Sequence, residues 1–197
     1  MSQRQAAKLS TPREGGPSYP LSHRVRRAVW NVVWAATASW TPPSAWRWRR
    51  FLLHTFGADV ADECDVRGSA RVWYPPNLKL GHRALIGPRV ICYNMDLVTL
   101  GEYALVSQGA HLCSGNHDIH SQGFELFAKP IHIGAHAWVA ADAFVAPGVT
   151  IGEGAVLGAR GVAFSDLDPW TLYVGNPAKL RSRREKFRAN LNSVSEQ

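Results

Sequence analysis

From residue 60 to residue 163 an aliphatic side chain returns every six positions. The series runs Val60, Val66, Val72, then Leu80, Ile86, Cys92, then Leu100, Val106, Leu112, then Ile133, Val139, Val145, Ile151, Leu157 and Ala163. Four residues after each comes a second, mostly small series that includes Cys64, Ala70, Ala84, Ala104, Ala110, Ala137, Ala143 and Ala155. Gly81, Gly87, Gly101, Gly134, Gly152 and Gly158 directly follow aliphatic members. Neither the 3.6-residue period of a helix nor the alternation of a simple strand has this spacing. One short strand plus one bend does. The large aliphatic points inward, the small residue packs where the corner tightens, and glycine beside the bend is expected to relieve backbone strain. Three such units close a triangular turn, and turns stack about 4.8 Å apart. The period therefore predicts an all-β solenoid, a parallel β-helix of hexapeptide units over residues 57–168.

Three intervals break the period. Val72 to Leu80 and Cys92 to Leu100 are eight residues, and Leu112 to Ile133 is 21. All three leave from the same corner of successive turns, where Pro76, Asp96 and Asn116 replace the small residue. Surplus loop and polar residues along one edge of a regular solenoid mark a candidate binding site, since regular rungs need neither. Loops that simply collect on one edge are the plainer alternative.

The rest of the chain narrows the alternatives. With 46% hydrophobic and 19% charged residues, disorder throughout is excluded. Three cysteines without a CxxC pair exclude a disulfide framework and a zinc ribbon, and Cys64 and Cys92 fall on inward positions. The longest apolar run near the start, residues 28–40, contains Asn31 and is shorter than the about 20 residues a spanning helix needs. The start is also unlike a secretory signal. A cytoplasmic location is expected, with membrane association left open. Residues 1–56 carry net charge +8, residues 57–178 carry −5 and residues 179–197 carry +4, which points to anionic partners at both ends or to solvated termini.

A disordered tail is expected over residues 1–20. Residues 21–56 interleave Trp30, Trp34, Trp40, Trp46 and Trp48 with six arginines around Thr41-Pro42-Pro43, and Trp30, Val33, Trp34 and Thr37 share a helical face. Two helices are predicted, one on each side of the prolines. Such a segment can cap the open first turn of a solenoid, lie on a membrane surface, or bind nucleic acid. No nucleic-acid module is present, so no nucleic-acid partner is expected. Residues 169–197 are read as a C-terminal tail with a short helix.

The motifs at the broken corner carry a resemblance. Asn116-His117-Asp118 opens a long insertion (residues 116–130) that ends in Lys129-Pro130, and Asn176-Pro177-Ala178-Lys179 follows the last turn. With the repeats between them, these resemble the hexapeptide acyltransferase superfamily of serine, maltose, galactoside and nodulation-factor O-acetyltransferases. Trp30-Asn-Val-Val-Trp34, Arg49-Arg-Phe-Leu-Leu-His54, Tyr93-Asn94 and Leu112-Cys-Ser-Gly-Asn-His117 are similar to the colanic-acid-type (WcaF-like) O-acetyltransferases of exopolysaccharide synthesis, over roughly residues 21–184. The resemblance implies a left-handed β-helix, acetyl-CoA as donor, a saccharide hydroxyl as acceptor, and a homotrimer with active sites between protomers. It puts His117 in the role of general base, and a neutral imidazole suits that role because it can take an alcohol's proton as attack proceeds. Glu125 matches the acidic residue that orients the histidine, with Asp118 as the next candidate.

Asn94, Asp96 and Asn116 are candidates for acceptor hydroxyls or an oxyanion, or for capping the corner backbone. Trp138, Ala140, Ala141, Ala159 and Arg160 match the stretch that lines the pantetheine groove. Lys179, Arg181, Arg183 and Arg184 form a cationic cluster suited to phosphate, or a solvated helix face. N-acetylation of an amino sugar or small xenobiotic is an alternative, as is a non-catalytic β-helix scaffold. A γ-class carbonic-anhydrase-like hydratase on His111, His132 and His136 is another, but these fall at different positions of the period and no metal is expected. Cys113 with His117 as a thiol nucleophile pair is disfavoured because direct transfer to a hydroxyl does not need one.

Overall fold

The computed structural model describes residues 18–186. Five complete coils follow two helices, α1 (Leu21–Thr37) and α2 (Trp46–Thr55). The first face stacks Asp59–Val60, Leu78–Leu80, Val98–Leu100, Ile131–Ile133 and Thr150–Ile151 in parallel. The third stacks Arg71–Val72, Ile91–Tyr93, His111–Cys113, Phe144–Val145 and Val162–Ala163. The second runs from Asp65–Val66 to Val156–Leu157 and is extended by Thr171–Val174 and then, antiparallel, by Lys179–Arg183. All fifteen members of the periodic series are buried, from Val60 at 6% exposure to Ile86, Val106 and Leu157 at 0%. Full burial of one such aliphatic contributes about 1.5–3 kcal/mol, so the inward ladder is the dominant stabilising element.

Regular corners close by a hydrogen bond from the small residue's amide to the carbonyl three positions earlier, as in Ala104 N to Gly101 O at 3.2 Å. The residue just before the small one takes a left-handed conformation at Glu63, Arg83, Tyr103, His136, Asp142 and Arg160. Its side chain projects outward and stacks on the next coil: Tyr103 lies flat on His136 at 5.2 Å, and Arg83 pairs with Glu63 at 2.6 Å. The glycines expected to relieve strain at the bend have a different function. A Cβ on Gly101 would sit 2.5 Å from Ala135 N, so glycine is required by the approach of the next coil's backbone.

The helices close the N-terminal end by supplying donors that a preceding coil would have supplied. In later coils the equivalent carbonyls accept from the coil before, as Ile86 O does from Arg67 N at 2.9 Å and Cys92 O from Trp73 N at 3.0 Å. In the first coil Arg49 Nε donates to Val66 O (2.7 Å) and Trp30 Nε1 to Val72 O (2.7 Å), while Trp34 Nε1 reaches Gly68 O (3.0 Å). Arg49 is fully buried and its remaining donors go to Thr41, Pro42, Pro43 and Asp65. Segment 21–56 is thus seated on the first coil as a cap. Among the described residues no helix is long and apolar enough to cross a membrane.

Two boundaries differ from expectation. Residues 1–17 of the expected disordered tail lie outside the described residues, but Tyr19 at its end is 8% exposed and stacks on His23 at 4.3 Å. The expected C-terminal helix is a strand where it is described. The edge of the second face offers unpaired backbone, and pairing Lys179–Arg183 with Thr171–Val174 outweighs the helix propensity of Lys and Arg. Residues 187–197 lie outside the described residues.

Candidate active site

At the broken corner the backbone ladder is interrupted, and side chains take over its hydrogen bonds. Asn94 is fully buried; its Nδ2 donates to Tyr74 O at 2.8 Å and its Oδ1 accepts from Tyr74 N at 3.0 Å. Asn77 Nδ2 donates to Met95 O at 2.7 Å. Ser114, also buried, accepts from Asp96 N at 2.9 Å and donates to Tyr93 O at 3.0 Å. Asp96 Oδ1 accepts from Leu97 N at 2.7 Å. Asn94 therefore has the capping role, with its amide committed to the backbone and no acceptor contact open to it. Asp96 caps with one oxygen and stays half-buried.

The long insertion is a hairpin arm. Gly115–His117 pairs antiparallel with Leu126–Ala128, with His117 opposite Leu126, and Asp118 N donates to Glu125 O at 2.9 Å. A Cβ on Gly115 would overlap Met95 Sδ, so a larger residue there requires the Met95 side chain to move. Half-buried His117 has Nδ1 2.9 Å from the Phe124 carbonyl oxygen, and the Phe124 ring stacks on the imidazole at 4.6 Å and 7°. A carbonyl can only accept, so Nδ1 carries a proton, and in the neutral ring the lone pair is on Nε2. Phe124 stands at φ 52°, a conformation that costs a bulky residue about 1–2 kcal/mol.

The orienting group is thus the Phe124 carbonyl, and the expected Glu125 carboxylate makes no hydrogen bond to the ring. Asp118 Oδ1 instead accepts from His120 N at 3.0 Å, and exposed Asn116 accepts from His117 N at 2.8 Å through its own Oδ1. Cys113 Sγ donates to Gly115 O at 3.1 Å, and burial pushes its thiol pKa up, against a thiolate role. His111 on the third face meets the Phe144 edge, His132 lies on the first face, and His136 stacks on Tyr103 at a corner. No cluster of three metal-donor side chains occurs among the described residues.

The stretch matched to the pantetheine groove comes together at the corner between second and third faces. Arg160 N donates to Ala141 O at 2.9 Å, which stacks Ala159–Arg160 one coil beyond Ala140–Ala141. Trp138, 43% exposed on the second face, donates Nε1 to Ser107 Oγ at 2.8 Å. The C-terminal cations do not cluster. An extended chain rises about 3.3 Å per residue, which spreads Lys179, Arg181, Arg183 and Arg184 over roughly 16 Å. Lys179 lies at the Ala159 end of the face. Arg184 is at the other end, where Nη1 donates to Gly154 O at 2.9 Å and serves the fold.

Beside the arm opens a cleft of about 520 Å³. Leu126 lines it and, being opposite His117, shares a face of the hairpin with it. Trp73, Tyr93 and Met95 supply the corner's wall; Tyr19, Arg24 and Arg27 supply the other.

No family model matches the chain. Over 154 residues, 78% of this chain and 85% of the relative, it is 42% identical to a protein named as the colanic acid biosynthesis acetyltransferase WcaF of Escherichia coli (strain K12). The chain belongs to the WcaF-like hexapeptide-repeat acetyltransferases. Its solenoid superposes on a maltose O-acetyltransferase from Clostridium difficile 630 with TM-score 0.76 at 21% identity, over 91% of this chain and 100% of that one. A hexapeptide-repeat acetyltransferase from Vibrio cholerae O1 biovar eltor, complexed with acetyl coenzyme A, gives 0.73 at 21% identity, over 87% and 94%. The fold is accordingly the left-handed parallel β-helix, and this WcaF-like chain is an acyltransferase.

Two features of the WcaF-like site escape the sequence reading. Phe124 acts on His117 through a main-chain oxygen, which no side-chain motif records. Tyr19, Arg24 and Arg27 reach the cleft only because α1 folds back over the first coil; the one available signal is the run of basic residues there.

Proposed function

We propose that this enzyme transfers an acetyl group from acetyl-CoA directly to a saccharide hydroxyl, with His117 as general base. The observation that carries this reading is the 2.9 Å contact of His117 Nδ1 with the Phe124 carbonyl oxygen, which in the neutral ring puts the proton on Nδ1 and the lone pair on Nε2. The acceptor oxygen attacks the thioester carbonyl while its proton passes to Nε2. Collapse of the tetrahedral intermediate breaks the C–S bond, and the coenzyme A thiolate takes the proton from the imidazolium. Such a base is worth about 10²- to 10⁴-fold. The small-residue ladder at Ala141 and Ala159 supports a groove for the pantetheine arm.

That groove and His117 occupy different corners of the coil, separated by a side of six residues, roughly 15–20 Å of extended backbone. One chain alone does not bring the thioester to its own base. A homotrimer in which the groove of one protomer faces the arm of the next completes the site. The test is acetyl-CoA turnover against a panel of neutral sugars, amino sugars and phosphorylated sugars. Wild type acetylates a hydroxyl, and His117→Ala loses at least a hundredfold in kcat with the trimer retained in light scattering. Near wild-type turnover in His117→Ala overturns the base, and exclusive use of amino sugars overturns O-transfer.

We also propose peripheral membrane contact. Leu21, Val25, Val29 and Val32 form an exposed apolar stripe on α1, beside Trp40 at 72% exposure. No acidic residue lies in residues 21–56, and Arg24, Arg26 and Arg47 are exposed there, which complements an anionic bilayer surface. Flotation with phosphatidylglycerol vesicles tests it. The protein floats, Val25→Asp/Val32→Asp stays behind, and a wild type that ignores the vesicles defeats the proposal.

A further inference from the structure

The groove at the corner between second and third faces narrows toward one end. In the fourth and fifth coils its floor is Ala141 and Ala159, whose small side chains leave room for a pantetheine arm. One coil lower, two side chains reach down from the fourth coil and flank it. Trp138 stands in register with Leu105 of the third coil, and its Nε1 donates to Ser107 Oγ at 2.8 Å. An indole N–H can only donate, so the hydroxyl accepts and holds the ring across the stretch from Leu105 to Ser107. At 43% exposure the ring still offers a large apolar surface there. On the other side a Cβ on Gly109 would overlap Asp142 Oδ1, which places the carboxylate against the Gly109 main chain. Asp142 N donates to Gln108 O at 3.0 Å and keeps that residue seated over the third coil. The groove is therefore pinched at the third coil between an indole and a carboxylate.

The height of the pinch is the height of the base. Gly115–His117 leaves the solenoid directly after His111–Cys113, a strand of the third coil. In the trimer proposed above, with its threefold axis along the coils, rotation from one protomer to the next preserves height. The partner's His117 then meets the groove at its third coil. Arg160, beside Ala159, stands at the opposite, fifth-coil end with its side chain open to solvent, where a phosphate of coenzyme A finds a cation. The arm descends from there, and its thioester ends beside Trp138. We propose that Trp138, held by Ser107, sets the length of the acyl group that the enzyme accepts: a two-carbon group ends above the indole, and a longer chain continuing toward the second coil runs into it. Ser107 is a positioning residue for that ring. Without its hydroxyl the indole turns about its side-chain bonds and the groove opens downward.

This inference rests on the acetyl-CoA reading, and its test separates the two. Binding of coenzyme A, acetyl-CoA and butyryl-CoA to the full chain is measured by calorimetry without acceptor. Wild type binds coenzyme A and acetyl-CoA with similar affinity and butyryl-CoA about tenfold more weakly or worse, the range that misplaced methylenes command. In Trp138→Ala the ratio of butyryl-CoA to acetyl-CoA affinity rises about fivefold or more, whatever the absolute affinities. Ser107→Ala raises the same ratio severalfold, and Ser107→Thr, which keeps the hydroxyl, restores it. In a Trp138→Phe background, whose ring has no N–H, Ser107→Ala adds nothing. A Ser107→Ala effect that persists in Trp138→Phe overturns the positioning role. Equal binding of butyryl-CoA and acetyl-CoA by wild type overturns length selection and leaves acetyl transfer standing. Failure of wild type to bind coenzyme A itself overturns the donor reading and this inference with it.

Discussion

The regular corners and the broken corner solve the same problem with different parts of the chain. At Gly101–Ala104 the turn is closed by main-chain atoms, and the outward position varies, being Glu63, Arg83, Tyr103 and His136 at equivalent corners. At the broken corner main-chain pairing fails, and Asn94, Asn77 and Ser114 restore it with side chains of fixed length and polarity. In the first case the sequence requirement is the absence of a side chain; in the second it is one particular side chain. That substitution is what allows a hairpin arm to leave the solenoid without unravelling the coils above and below.

The contrast can be broken experimentally, beginning with its strongest element. Asn94→Leu leaves Tyr74 N and O buried without partners at about 1–3 kcal/mol each, so urea unfolding should show a loss of about 3–4 kcal/mol. A loss under 1 kcal/mol means that water reaches this corner. Gly101→Ala forces a Cβ against the Ala135 backbone and should cost about 2–3 kcal/mol while kcat per folded molecule is unchanged. A fall in kcat there would show that regular corners communicate with the arm. Phe124→Gly relieves the left-handed conformation but removes the ring that packs on His117. We expect stability within about 1 kcal/mol of wild type and a kcat about tenfold lower, read in steady-state assays. The smallest effect belongs to Cys113→Ser, which should retain near wild-type activity. With its pKa raised, the native thiol holds less thiolate at any given pH, so iodoacetamide should modify it more slowly at pH 8 than an exposed cysteine.

Most of the fold was legible because burial follows the six-residue series one for one. The insertion lengths also marked the broken corner from which the arm leaves, since three interruptions at one phase of the period must stack in space. His117 stood out through its motif, whereas its partner did not, because a carbonyl is common to every residue and only the turn at Phe124 brings it to Nδ1. The two readings of Asn94 could be separated only by knowing that Tyr74 lies directly across from it. Residues 179–183 were misread for a related reason. Their composition favours a helix, but an edge strand recruits whatever extended segment reaches it, and that edge is invisible in local sequence. The cleft was beyond reach because Arg24 and Trp73 are far apart in the chain.

The way Trp30, Trp34 and Arg49 meet the first coil has a consequence for how such molecules coexist at high concentration. A stack of parallel coils has no intrinsic length, and one molecule's exposed rung is a template for the rung of another. Indole and guanidinium groups donate hydrogen bonds but accept none, so once they occupy the leading carbonyls no incoming chain can register there. Removing residues 18–56 would therefore do more than shorten the protein: it would turn a finite particle into a monomer for filament growth.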